Sequence, residues 1–293
     1  DPIGEIAILD LVPPEAVDAE RLHVDALLVD QGDAIRAERA YRAQLLQRGL
    51  HRQARIDKDV VNIDGQNLFD PSLSYTGVDW DVDGAMTRLI EAGEIREAIV
   101  VGIWNTPQRF AEYMPKAPVR TRTVGSGVVG RPMVFAKDIR SDDYLRFLVE
   151  ELKPFVDAHY RTLPGRDDTV VMGSSMGGLI SLYATARYPQ ISGGVGAVST
   201  HFPACGGCVI DWFGAQLPGP DTHRLYFDHG TATLDAKYPP YQARMDAVLR
   251  AAIGAGDEAA GIGTIARDAE AGTGEHHLDE IDNRGGTSGA VAI

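Results

Sequence analysis

Residues 170–180 read VVMGSSMGGLI, a short apolar run that enters a glycine-flanked serine and leaves it into a helix-like stretch. TVVMGS (169–174) has the character of a buried strand, and MGGLISLYATARYP (176–189) carries helical spacing, so the serine falls on a sharp strand-to-helix turn. Gly173, Ser175 and Gly177 occupy the fixed positions of G-x-S-x-G. Glycines two before and two after the serine remove side chains that would collide on a strained turn at the carboxyl end of a central strand. The turn presents the Ser175 hydroxyl to solvent and aims the helix N-terminus, including the Met176 amide, at the place where an oxyanion would develop. A plainer reading makes Ser174 or Ser175 an N-cap. The strand-turn-helix flanks favour the nucleophile.

Outward from this turn the chain alternates. Strand-like runs at 59–63, 97–103, 193–199 and 224–228 are separated by helical patterns at 85–94, 142–160 and 240–253, which implies βαβ units on a mostly parallel sheet. Leu145, Phe147, Leu148, Leu152 and Phe155 recur at three- and four-residue steps and predict one core-facing stripe, with Ser141 or Asp142 as the cap of that helix. No internal repeat or interior linker divides the chain, so residues 1–293 read as one domain. Its ends differ from its middle: 33–56 is polar, Arg-rich and helical in pattern, and 253–293 is rich in Gly, Ala and acidic residues with weak periodicity.

Composition narrows the partners. A chain of 293 residues with 44% apolar content can bury a sizeable core, and a formal charge of −14 argues against nucleic acid and anionic membrane, both of which need clustered Lys and Arg. No apolar run reaches the roughly 18 residues of a membrane span. The sequence begins at Asp1, which leaves the compartment open between cytoplasmic and exported; a homo-oligomer is compatible with all of this.

Two patterns suggest metal and are set aside. Cys205 and Cys208 form a C-x-x-C, yet no further ligands stand at finger-like spacing and no redox-type βαβ context surrounds it, so it reads as an incidental loop pair. DWDVDG (79–84) places Asp79, Asp81, Asp83 and Gly84 in register with an EF-hand loop, but the twelfth position is Ile90 and Glu91 is one residue late; Asp83 reads better as a helix N-cap. No metal and no cofactor are expected.

A serine hydroxyl needs a base, usually His, and the base needs a carboxylate that holds its tautomer. With the chain order serine, acid, histidine, His201, His223 and His229 lie before or within the acid-bearing strand, which leaves His276 and His277 in TGEHHLDE as the expected base. The acid should follow RLYFD (224–228). Asp235, in a loop whose glycine and small residues let the chain turn back, is favoured, and Asp228 is the alternative.

With these residues in place the chain resembles a known group. DGQNLFDP (64–71), Trp80 through Asp83, IVVGIWNTPQRFAEYMP (99–115), GSSMGG (173–178), STHFP (199–203) and YFDHGTATLD (226–235) look like the putative-esterase family of α/β-hydrolases. That group includes enterochelin-esterase-like proteins and the feruloyl and acetyl-xylan esterases of carbohydrate esterase family one. The likeness spans roughly residues 58–250 and implies an α/β-hydrolase fold, an eight-stranded-type, mostly parallel sheet with helices on both faces. It also implies no cofactor and ester hydrolysis through an acyl-enzyme.

The resemblance assigns further roles. The turn at Gly65 and Gln66 would supply a second oxyanion donor, the Gln66 amide, beside Met176. Ile63 stands where members often carry His. Arg109, Glu112 and Tyr113 match a recurrent R-x-x-E-Y that would fix the loop bordering the site through an Arg–Glu pair, and Gly65, Trp104, Arg109 and Tyr113 are candidates for contact with substrate. Phe202, Trp212 and Phe213 join Trp104 and Tyr113 as aromatics that could line an aromatic-accepting pocket. The Gly-small-Glu-His pattern points to His276 over His277, although the family's closing Trp and amphipathic helix are not found after it. The expectation is a serine carboxylesterase for small acyl, aryl or sugar esters; the rivals are acyl transfer to a sugar or lipid alcohol and a non-catalytic binding protein of the same fold.

Overall fold

The computed structural model describes residues 58–119, 138–219 and 222–253, together with strand segments at 6–10, 25–27, 123–124, 134–135 and 262–267. Strands are β1 (Ile6–Asp10), β2 (Asp25–Leu27), β3 (Lys58–Ile63), β4 (Ala98–Ile103), β5 (Thr123–Val124), β6 (Val134–Phe135), β7 (Thr169–Ser174), β8 (Gly194–Val198), β9 (Arg224–Gly230) and β10 (Ile262–Arg267). Helices are α1 (Val82–Glu91), α2 (Arg109–Tyr113), α3 (Ser141–Arg146), α4 (Lys153–His159), α5 (Met176–Arg187), α6 (Cys208–Gln216) and α7 (Pro239–Ile253). A π-helical turn, Phe147–Leu152, joins α3 to α4.

Eight strands form one sheet in the order β10-β9-β8-β7-β3-β4-β1-β2. From β4 to β10 every pairing is parallel, and the β1–β2 hairpin adds antiparallel to β4. The fold is that of an α/β-hydrolase. Parallel strands covered on both faces carry near-continuous apolar runs, and all six residues of β4 are buried accordingly. Alternation then sorts them: Ile99, Val101 and Ile103 pack with α5 and the α3–α4 segment, while Ala98 and Val100 pack with Leu68 and the α1 residue Met86. Within the predicted stripe Leu145, Leu148 and Leu152 are buried, with Phe147 and Phe155 packed partly against the same core.

Register sets the site. Ile63 pairs with Gly173, Ser174 with Val198, and Val198 with Asp228, so the carboxyl ends of β3, β7, β8 and β9 finish level at one edge. The chain leaving each strand there brings Asp64, Ser175, Ser199 and the 230–238 loop together.

Three local expectations are corrected. Neither Ser141 nor Asp142 caps α3: the N-cap is Arg140, the Ser141 hydroxyl accepts the Lys116 amide at 3.0 Å, and Asp142 accepts the Tyr183 hydroxyl at 2.6 Å. Asp81, not Asp83, is the N-cap of α1, and it turns its carboxylate to Arg88 at 3.1 Å. Cys205 and Cys208 are disulfide-bonded across the turn into α6 rather than being an incidental pair. The helical reading of 33–56 lies outside the described residues, as does most of 253–293. No helix among the described residues is long and apolar enough to cross a membrane.

Candidate active site

Ser175 follows β7 at φ 56°, ψ −115°, a backbone region that costs an ordinary residue roughly 1–3 kcal/mol and persists only where the surroundings enforce it. Here β8 enforces it. The Ser175 amide donates to the Val198 carbonyl at 2.9 Å, and the Ser175 carbonyl accepts the His201 amide at 3.1 Å and the Leu179 amide at 3.3 Å. The flanking glycines have the steric role that the sequence predicts. A Cβ on Gly173 would lie 2.8 Å from the Gly177 backbone, one on Gly177 would lie 3.1 Å from Asp64 Oδ2, and one on Gly178 would lie 2.5 Å from Thr200 Oγ1. Ser175 stands at the N-cap position of α5, yet its hydroxyl makes no capping hydrogen bond. Met176 is the first residue of α5, so its amide is one of those that a helix leaves without an internal acceptor.

The turn after β3 forms the facing wall. Asp64 is left-handed at φ 73° and only 2% exposed, and the 3-10 turn Gly65–Asn67 follows it. Gly65 lies so close to β4 that a Cβ would fall 2.3 Å from the Gly102 carbonyl carbon. The Gln66 side chain accepts the Asn105 amide at 3.3 Å, which ties this turn to the loop after β4.

Arg109 departs from expectation in its partner. Its guanidinium forms two bonds to Asp64, Nε to Oδ1 at 2.7 Å and a terminal nitrogen to Oδ2 at 2.5 Å, and no Arg109–Glu112 pair is present among the described contacts. Glu112 instead accepts the Thr106 hydroxyl at 2.6 Å. The reason is reach: α2 is only five residues long, and its first residue faces the β3 turn while Glu112 turns back to cap the preceding loop. Burial alone would lower the Arg109 pKa, but the hydrogen bonds and charge of Asp64 outweigh it and hold the guanidinium above its ordinary value. Asn105 Nδ2 completes the set, donating to Asp64 Oδ1 at 2.9 Å.

On the other side of Ser175 lies the loop after β9. Half-buried Asp235 accepts the Ser199 hydroxyl at 2.6 Å and the Gly230 amide at 3.0 Å, both on Oδ2. Asp228 is buried at 6% exposure and accepts the Ser199 amide at 2.9 Å and the Tyr226 hydroxyl at 3.2 Å. Tyr238, at the end of the same loop, is buried, and its hydroxyl lies 2.8 Å from His201 Nδ1. Burial pushes the Tyr238 pKa up to about 12, countered in part by the Ser175 hydroxyl and aided by the charge of Asp235. His276 and His277 lie outside the described residues.

Several candidate lining residues prove to be core. Tyr113, Phe202 and Phe213 are at most 1% exposed, because α2, the turn after β8 and α6 all press these faces against the sheet. Tyr113 packs on Tyr144 at 5.1 Å and under the Arg109 guanidinium at 5.2 Å, which removes its ring from contact with substrate. Trp212 is partly buried against Tyr183, and Trp104 is half-buried beside the Asn105 loop. No group of described residues could hold a metal ion. In the EF-hand-like stretch the Asp81 carboxylate pairs with Arg88 at 3.1 Å.

Sequence reading missed Asp64, Asn105, Ser199 and Tyr238, and set His201 aside on chain order. Asp64 carried a signal, since it precedes a glycine at a strand end. Tyr238 carried none, because a tyrosine before two prolines resembles any helix entrance.

Against known proteins, the sequence matches the family described as "Putative esterase" over residues 59–252. Solved structures of similar shape include the enterobactin esterase FES from Shigella flexneri with 2,3-dihydroxy-N-benzoyl-serine (20% identity, TM-score 0.51, covering 73% of this chain and 48% of that one). Others are an IroE-like serine hydrolase from Shewanella oneidensis (19% identity, TM-score 0.52, 75% and 66% covered) and the siderophore hydrolase EstA from Aspergillus nidulans (16%, 0.52, 74% and 77%). The chain spans about half the length of the enterobactin esterases it matches. No curated protein matches it.

Proposed function

Because the chain belongs to the putative esterase family, we propose that it is a serine carboxylic-ester hydrolase working through an acyl-enzyme. The observation that carries this reading is Ser175: a strained, glycine-cleared serine at the head of α5, with its hydroxyl not consumed by capping. Ser175 Oγ attacks the ester carbonyl and forms the Oγ–C bond as its proton passes to the imidazole of His276, or of His277 as the alternative. The tetrahedral oxyanion is held by the Met176 amide and the Gln66 amide. Collapse breaks the bond to the alkoxy oxygen, and the alcohol leaves with the proton from the imidazole. Water then repeats the sequence on the acyl-enzyme, and the acid and Ser175 are regenerated.

Asp235 is the carboxylate assigned to the imidazole. Its hydrogen bonds among the described residues both enter Oδ2, which keeps Oδ1 for a ring N–H, whereas Asp228 lies within β9 and accepts the Ser199 amide just past β8 and the Tyr226 hydroxyl on its own strand. The substrates assigned to this reading are small acyl, aryl or sugar esters. The experiment is labelling with a fluorophosphonate, followed by peptide mapping. One adduct on Ser175 is expected; labelling elsewhere, or none on folded protein, contradicts the reading.

A further inference from the structure

The chain leaves β8 through Ser199, Thr200 and His201, and this short turn touches both Ser175 and Asp235. Ser199 adopts φ 39°, a left-handed conformation that glycine takes freely and other residues avoid. A serine there is held against its backbone preference. The Ser199 amide donates to the Asp228 carbonyl at 3.0 Å and to Asp228 Oδ1 at 2.9 Å, and the His201 amide donates to the Ser175 carbonyl at 3.1 Å. Thr200, 1% exposed, sits against α5, where a Cβ on Gly178 would come within 2.5 Å of its Oγ1. From this fixed backbone the Ser199 hydroxyl donates to Asp235 Oδ2 at 2.6 Å.

Asp235 is shaped around that bond. The Gly230 amide donates to the same oxygen at 3.0 Å, and a Cβ on Gly230 would lie only 2.9 Å from it. Thr233, left-handed at φ 53°, turns the loop back, and the Asp235 amide closes it on the Ala232 carbonyl at 3.0 Å. Two non-glycine residues, Ser199 and Thr233, are thus left-handed beside one carboxylate, and such strain persists only where the surroundings over-determine a geometry. Glycine at position 199 would meet the backbone demand without strain. What serine adds is the hydroxyl.

We propose that Ser199 is a positioning residue for catalysis: its hydroxyl holds the Asp235 carboxylate in the orientation that offers Oδ1 to the general base. This rests on the esterase reading above, with Asp235 as the acid. One turn then sets both ends of the relay, because the His201 amide fixes the Ser175 backbone and the Ser199 hydroxyl fixes Asp235. An imidazolium forms in acylation and again in deacylation, so both half-reactions depend on the oriented carboxylate while substrate binding does not. Ser199 also separates the two candidate acids. Its amide serves Asp228 and its hydroxyl serves Asp235, so removing the hydroxyl alone acts on Asp235 and leaves Asp228 held.

The test is a double-mutant cycle read with p-nitrophenyl butyrate, with Ser175→Ala as the blank. Ser199→Ala removes the hydroxyl and keeps the strain; Ser199→Gly removes both. Each should lower kcat and kcat/KM about tenfold with KM within about twofold, as expected on losing one hydrogen bond to a charged group that matters only in the transition state. Ser199→Gly should melt no lower than Ser199→Ala while being equally slow, which separates the rate effect from stability. In an Asp235→Ala background the same substitutions should change the residual turnover by less than about twofold, because the group they act through is gone. A further proportional loss in that background overturns the proposal, as does a wild-type kcat in either single variant, a change confined to KM, or slowing by Gly but not by Ala. Wild-type turnover in Asp235→Ala, with fluorophosphonate labelling of Ser175 intact, overturns this proposal and leaves the nucleophile standing. Absence of both turnover and labelling in the folded wild type overturns the esterase reading and this proposal with it.

Discussion

Asp64 grips Arg109 with both carboxylate oxygens, and the pair spans the gap between the β3 turn and the loop after β4. Asp64 also stands beside the α5 entrance, close enough that any side chain on Gly177 would press on it at 3.1 Å. The β3 turn, the loop after β4 and the α5 entrance are thus registered to one another by one buried carboxylate. Replacing Asp64 with Ala leaves the largely buried guanidinium without its charge partner, and a loss of about 3 kcal/mol in unfolding free energy is expected. Urea denaturation measures it. Arg109→Lys should recover only part of the stability lost in Arg109→Ala, because an ammonium cannot reproduce the two-pronged geometry.

Gly173 faces the backbone of Gly177 across the serine turn, and a methyl group there has no flexible side chain to displace. Gly173→Ala should lower stability by roughly 1–3 kcal/mol. It should also slow fluorophosphonate labelling, because the turn must open to fit the methyl. A variant with wild-type melting and labelling would show that the turn is softer than this geometry allows.

Much of this is legible in the sequence. The serine turn announced itself because G-x-S-x-G combines a composition signal with a strand-to-helix switch in periodicity, and the steric reason for Gly173 and Gly177 holds in the structure. The strands were legible because parallel strands buried on both faces are apolar throughout, as β4 is. What eluded reading was pairing at long range. Arg109 meets Asp64 across 45 residues, and its near neighbour Glu112 was the natural but wrong guess. Caps were misjudged for a similar reason: Ser141 and Asp142 have the right chemistry, but tertiary partners on Lys116 and Tyr183 take it.

Burial raises the pKa of Tyr238 to about 12, and burial likewise raises those of Tyr113, Tyr144 and Tyr183 above the ordinary tyrosine value. Each is a group that holds its proton more tightly folded than unfolded. Stability should therefore be insensitive to these groups below the unfolded tyrosine pKa of about 10 and should fall as pH rises from there towards 12. Urea midpoints measured across that range check the sign. A midpoint that rises between pH 10 and 12 would contradict it.

The Cys205–Cys208 disulfide closes a very short loop, with a sequence separation of 3. Loop-closure entropy for so small a ring is worth at most about 2 kcal/mol. The double variant Cys205→Ser, Cys208→Ser should remain folded, with a modest drop in melting temperature and its esterase activity retained. Unfolding of that variant would assign the disulfide a larger structural role.

The central claim is that Ser175 is an acylated nucleophile. Hydrolysis of p-nitrophenyl acetate and butyrate by the wild type and by Ser175→Ala, both shown to be folded, tests it most directly. The account predicts turnover by the wild type and a loss of at least about 10³-fold on removing the hydroxyl, in line with triad serines elsewhere. Ester turnover that survives Ser175→Ala, or a folded wild type that hydrolyses neither ester, would contradict it.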